Sequence, residues 1–148
     1  MKKRRLKLHF FLSMNPPTKT QQEHRIGKRK DGSMYIYEDR DLKEARQKLR
    51  KALSKIETEC IKDRPIRLTV KWLFPKGNHQ NGEYKITKPD TDNLNKMLKD
   101  EMTRLKFWED DALVASEIIE KFWADVPGIF VNVEEIKDGT EDNSTDIS

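Results

Sequence analysis

Apolar and polar residues alternate through the first strand-like stretch, "RRLKLHFFL", where Leu6, Leu8 and Phe10 interleave with Lys7 and His9. A period of two predicts a strand, because successive side chains there point to opposite faces. The pattern lapses over residues 13–36, which hold Pro16-Pro17 and a turn signal at Lys30-Asp31-Gly32. "MYIY" after that turn predicts a short strand, half of a hairpin. From Asp41 the period lengthens. Leu42, Ala45, Leu49, Ala52, Leu53 and Ile56 recur at helical spacing, with Asp41 placed as a cap and Lys43, Lys48, Arg50 and Lys51 on the other face. "RPIRLTVKWLF" returns to strict alternation: Ile66, Leu68, Val70, Trp72 and Phe74 on one side, Arg67, Thr69 and Lys71 on the other.

A Gly- and Asn-rich loop, "PKGNHQNGEYKITK", leads to "KPDTDNLNKMLKD", where Leu94, Met97, Leu98 and Leu105 form a second helical stripe. After "FWEDD", residues 113–123 and 128–136 predict two strands around Pro127-Gly128, joined as an antiparallel hairpin. The order of elements defines an α+β domain: a small mixed, mainly antiparallel sheet packed against two helices.

The chain has 148 residues, the size of one ordinary domain, but only 34% are hydrophobic while 38% are charged. So lean a core often gains stability by dimerisation. We divide the chain into one domain, residues 1–136, and an acidic tail, 137–148, "KDGTEDNSTDIS", too polar to pack. No apolar run approaches the ~20 residues of a membrane span. The basic start resembles the head of a signal peptide, but its apolar part is short and alternates, so it is expected to belong to the mature fold. The single Cys60 cannot form an internal disulfide and points to a reducing cytoplasm, as a buried apolar side chain near a helix end. Net charge is +4, unevenly spread. Residues 1–50 carry 15 Lys and Arg against 6 Asp and Glu, whereas residues 101–148 carry 4 against 13. A basic front half suits a polyanion partner, although a solvated charged surface explains the charge alone equally well.

Asp90 and Asp92 stand before and inside the first turn of the second helix. Asp90 or Thr91 can cap it, Asp92 suits its dipole, and Asp92 with Lys96 forms an acid-before-base i,i+4 pair. Two carboxylates facing one point, joined by Asp110 or Asp111 from "FWEDD", can instead hold Mg²⁺, which takes oxygen ligands from a few carboxylates, waters and phosphates. Acids in a protein that attracts phosphate call for such a cation to offset their repulsion, and it can activate water. Lys96 lies one turn beyond Asp92, within reach of a phosphate oxygen. Asp100 lies about 12 Å along the helix from the first two acids and is expected to form an ion pair or a packing contact, not to share their ion. His24 and His79, in loops without a partner at metal spacing, are expected to be solvated or weak phosphate contacts.

"KPDTDNLNKMLKD", "FWEDDALV" and Lys121 together resemble the RusA-type Holliday junction resolvases, crossover junction endodeoxyribonucleases of bacterial prophages. That family's pattern is Pro-Asp-x-Asp-Asn-Leu-x-Lys, a further Asp, an aromatic before Asp-Asp, then a Lys. Asp90, Asp92, Asn93, Leu94, Lys96, Asp100, Trp108, Asp110, Asp111 and Lys121 match it over residues 65–135, and "NPPTKTQQ" is similar to the family's front loop. The resemblance implies a homodimer of the family's small α+β fold. The implied activity is Mg²⁺-dependent cleavage (Mn²⁺ as substitute) of four-way DNA junctions by paired symmetric nicks, in recombination and repair. It implies Asp90, Asp92 and Asp111 as metal ligands and Lys96 as the catalytic lysine, with Asp110 the less certain member of its pair. Lys88 and Lys121 lead the candidate DNA contacts, followed by Arg67, Lys71, Lys19, Lys28, Arg29 and Lys30. The alternatives are a junction-binding protein without catalysis and a metal nuclease for other branched or single-stranded DNA.

Overall fold

The strand with the strictest alternation takes an inner place in the sheet. In the computed structural model, which describes residues 4–20, 24–38 and 40–137, β4 (Ile66–Pro75) buries Ile66, Leu68, Val70, Trp72 and Phe74 on one face. It is paired along both edges. The four-stranded sheet has the order β1-β6-β4-β5, with β1 at Lys7–Leu12, β5 at Val114–Ala124 and β6 at Gly128–Glu135. β6 runs antiparallel to β1 and to β4, while β5 runs parallel to β4. The sheet is therefore mixed and mainly antiparallel, as its sequence suggests.

The expected hairpin between the last two strands does not form. β5 and β6 flank β4 on opposite sides, and residues 125–127 step across its end. Two strand spacings are only about 10 Å, within reach of so short a link. β5 carries Glu117, Glu120 and Lys121, charges that suit an outer strand, whereas β4 as an outer strand would leave an apolar strand's backbone groups unpaired.

Two helices cover one face of the sheet. α1 (Arg40–Leu53) contributes Leu42, Leu49 and Leu53, and α2 (Thr91–Arg104) contributes Leu94, Met97, Leu98 and Met102, to one core with Leu68, Val70, Trp72, Ile129, Val131 and Val133. α1 begins at Arg40, so Asp41 lies in its first turn instead of capping it. Arg50, on the face expected to be basic and solvated, turns to α2: Nε and Nη2 donate to the fully buried Glu101 carboxylate at 2.6 and 3.2 Å. That hydrogen bond, more than the bare charge, raises the Arg50 pKa further.

Residues 24–28, expected to be irregular, form β2 (His24–Lys28), paired antiparallel with β3 (Met34–Glu38) in a separate two-stranded sheet. No alternation marks β2. Its pairing is set by the turn, where Asp31 accepts from Ser33 N at 2.9 Å and Gly32 takes a φ of +89°. Cys60 is half-buried in the segment after α1, a free thiol. The tail from residue 138 lies outside the described residues.

Candidate active site

A parallel pair of strands needs a crossover, and here α2 provides it between β4 and β5. Its apolar stripe faces the sheet, so its polar stripe must face outward. Asp92, Asn95, Lys96, Lys99 and Asp100 recur at i, i+3, i+4, i+7 and i+8. With Asp111 and Glu117 they line an open cleft of about 370 Å³. The cleft runs along the flank of α2, not over its end, where the sequence had suggested the acids would meet.

Within it the cations are balanced by some acids and not by others. Lys96 Nζ lies 3.5 Å from Asp100 Oδ2, the partner it takes in preference to Asp92. Asp100 thus forms the expected ion pair and also lines the cleft. Lys99 Nζ and Asn95 Nδ2 each donate to Glu117 at 2.7 Å. Among the described residues, the carboxylates of Asp92 and Asp111 accept no hydrogen bond and form no ion pair. Asp90 occupies the N-cap position with extended backbone (φ −70°, ψ 149°), but its side chain does not cap the helix. Its carbonyl oxygen accepts from Leu94 N at 3.1 Å.

Aromatic anchors deliver Asp111. Phe107 and Trp108 are buried, and Trp108 Nε1 donates to Thr103 Oγ1 at 2.7 Å. The segment is tied to the chain after α1 by Ile61 N to Phe107 O at 3.1 Å and Glu109 N to Ile61 O at 2.9 Å. Asp110 then accepts from Ala112 N at 2.9 Å and starts a 3-10 turn, Asp111–Leu113. This leaves Asp111 directed to the cleft.

Among the described residues, no three carboxylate, histidine or cysteine side chains converge into a ready-made ion site. Asp92 and Asp111 share the cleft, while Asp90 is not among its lining residues. Their chemistry nonetheless fits a hard divalent cation, which binds through one or two carboxylates and completes its shell with waters and substrate phosphates. Unpaired carboxylates at van der Waals range repel each other until a cation joins them, so an open arrangement is the electrostatically favoured one without it.

The candidate DNA contacts are dispersed. Lys19 lines a groove between the N-terminal loop and α1. Lys28, Arg29 and Lys30 are exposed at the β2–β3 turn, where the Arg29 guanidinium lies 4.9 Å from the centre of the Tyr35 ring. Arg67 is engaged on the uncovered sheet face, donating to Ser116 Oγ at 3.0 Å with Glu134 at 3.5 Å, and Lys71 is exposed on the same face. Lys88 is exposed just before Asp90. Lys121 Nζ is taken up by the carbonyls of Thr87 and Pro89 at 2.7 and 2.8 Å. His79 stacks on Trp123 at 4.2 Å and bonds Glu83, so it is more tightly held than a solvated loop histidine. Asn95, Lys99 and Glu117 were not singled out from sequence. The first two were available in the helical spacing from Asp92. Glu117 needed the strand pairing.

An acidic cleft with paired lysines, built on the helix that links two strands of a mixed sheet, has the make-up of a phosphodiester-cleaving nuclease site. Residues 15–134 match the family profile of endodeoxyribonuclease RusA. A protein called crossover junction endodeoxyribonuclease rusA, from Lactococcus phage r1t, is 31% identical over 111 residues, covering 74% of this chain and 83% of the relative. The chain belongs to the RusA endodeoxyribonuclease family.

Proposed function

We propose that this protein is a Holliday junction resolvase: a Mg²⁺-dependent, homodimeric, cytoplasmic endonuclease that cuts four-way DNA junctions with paired symmetric nicks, in recombination and repair. The observation that carries this reading is the meeting of Asp92 and Asp111, distant in sequence, in one cleft with Lys96, their carboxylates unpaired among the described residues. Mg²⁺ or Mn²⁺, when bound, supplies a Lewis acid and an activated water. Asp92 and Asp111 hold the ion, and Asp90, at the start of the same helix, is the third candidate ligand. Lys96 reaches from its Asp100 partner to a phosphate oxygen and offsets the charge that grows there. Lys99, which also lines the cleft, is held by Glu117. Two equivalent cleavage points on a two-fold junction suit two equivalent subunits. The name of the phage relative supports the same substrate class.

The test is a labelled four-way junction and a matched linear duplex, incubated with and without Mg²⁺. Wild-type protein is expected to nick the junction symmetrically only with Mg²⁺ and to spare the duplex. Asp92→Asn is expected to bind the junction and leave it uncut. Cleavage by that variant at the wild-type rate defeats the reading. Tight binding without nicking in any divalent ion makes the protein a junction binder, and preference for another branched substrate redefines the nuclease.

A further inference from the structure

The segment that delivers Asp90 has an unusual support. Gly82 to Lys85 run antiparallel along the outer edge of β5, with Gly82 N to Trp123 O at 2.8 Å, Trp123 N to Glu83 O at 2.8 Å and Lys85 N to Lys121 O at 3.0 Å. Backbone pairing then stops. The next three carbonyls before Asp90 accept from lysine ammoniums: Lys121 Nζ donates to Thr87 O at 2.7 Å and Pro89 O at 2.8 Å, and Lys85 Nζ to Lys88 O at 2.6 Å. Lys85 also donates to Thr87 Oγ1.

Lys85 is no ordinary surface lysine. It is 7% exposed, and its ammonium lies 4.5 Å from the Trp123 ring centre and 5.1 Å from that of Phe74. Burial, and then the charge of Lys121, lower its pKa. Among the described residues, neither ammonium pairs with a carboxylate. A buried cation beside a second cation is unfavourable, and hydrogen bonds to several acceptors are what make it tolerable. Here every acceptor belongs to the three residues Thr87–Pro89.

We propose that Lys85 and Lys121 form a clamp that fixes the path of Thr87–Pro89, and so positions Asp90 and Asp92 at the start of α2 to receive the divalent cation. The inference rests on the metal-nuclease reading above. It gives Lys121 a positioning role in place of direct contact with DNA: two of its three N–H donors already point at the protein's own backbone. α2 is anchored from Leu94 onward by its apolar stripe, and the path of the chain before it is set by what holds Thr87–Pro89. Two ammoniums spread over three successive carbonyls hold it without regular secondary structure.

The experiment compares wild type with Lys121→Met and Lys85→Met in three measurements: Mn²⁺ affinity of the DNA-free protein by calorimetry, junction affinity in EDTA by gel shift, and junction nicking as Mn²⁺ is raised. Lys121→Met is expected to bind Mn²⁺ at least tenfold more weakly and to nick correspondingly slower at low Mn²⁺. High Mn²⁺ should recover part of the rate, and junction affinity should stay within threefold. A phosphate contact gives the opposite result, lost junction affinity with unchanged Mn²⁺ binding, and overturns the clamp. Lys85→Met empties a buried site, so its folding is followed by circular dichroism. If it does not fold, Lys121→Met, which changes a half-buried side chain, decides alone. Wild-type protein that neither binds Mn²⁺ nor nicks overturns the nuclease reading and the clamp together. Wild-type protein that does both, beside an indifferent Lys121→Met, overturns the clamp only.

Discussion

The Asp110 carboxylate accepts the Ala112 N–H at 2.9 Å and begins a 3-10 turn, while that of Asp111, one residue on, faces the cleft without a partner among the described residues. The two should respond differently to the same change. Asn caps as well as Asp, so Asp110→Asn is expected to keep both fold and nicking near wild type. Asp110→Ala should cost about 1 kcal/mol of stability, read from urea midpoints. Asp111→Asn is expected to slow nicking by roughly a hundredfold or more, the scale of losing several kcal/mol of charge stabilisation from a bound cation. Equal loss by Asp110→Asn and Asp111→Asn would contradict this division. Lys96 is two-thirds exposed, with Asp100 at 3.5 Å its only ion pair among the described residues, so nothing structural there depends heavily on it. Lys96→Ala should lower the single-turnover rate by roughly a hundredfold while junction affinity changes only a few-fold. A parallel loss of both would make Lys96 a plain phosphate contact.

At the scale of elements, α2 serves two purposes, and its two stripes keep them apart. Leu94, Met97, Leu98 and Met102 bind it to the sheet, and Asp92 through Asp100 face the cleft. What locks it against α1 is a buried charge, Glu101, with Arg50 at 2.6 Å and Arg46 and Arg104 near 4 Å. Removing Arg50 takes away the two close hydrogen bonds and leaves the buried carboxylate only the arginines near 4 Å, which is far more costly than the pair is favourable. Arg50→Ala is therefore expected to destabilise the fold by about 3 kcal/mol. The double change Arg50→Met with Glu101→Leu should recover most of that loss. An unchanged urea midpoint for Arg50→Ala would mean that Arg46 and Arg104 suffice.

Along the chain the positive charge is concentrated in the first fifty residues and the negative charge toward the end, and the acids of the cleft belong to the second half of the sequence. Basic side chains that neutralise phosphates attract DNA by releasing counterions. Junction affinity should accordingly fall by at least about tenfold between 50 and 200 mM salt. Flat salt dependence would remove the phosphate contacts from the picture. Light scattering at micromolar concentration is expected to give twice the 17.5 kDa chain mass. A monomer there would count against two-site cleavage.

The sequence by itself determined the apolar faces of the main strands and helices, β2 apart, because periodicity is a local property. β4, α1, α2 and β1 follow from their stripes, as does the polar row from Asp92 to Asp100. Asp92, Lys96 and Asp111 were legible as a group because motif and spacing agree over a long stretch. Tertiary structure alone decided three things. It inserted β4 between β5 and β6, since partners along a strand's edges are chosen by non-local hydrogen bonding and burial. It brought Glu117 to the cleft through that parallel pairing. And it turned Arg50, Lys85 and Lys121 inward: the charge of a lysine or arginine is written in the sequence, but the acceptors that claim it are residues far along the chain.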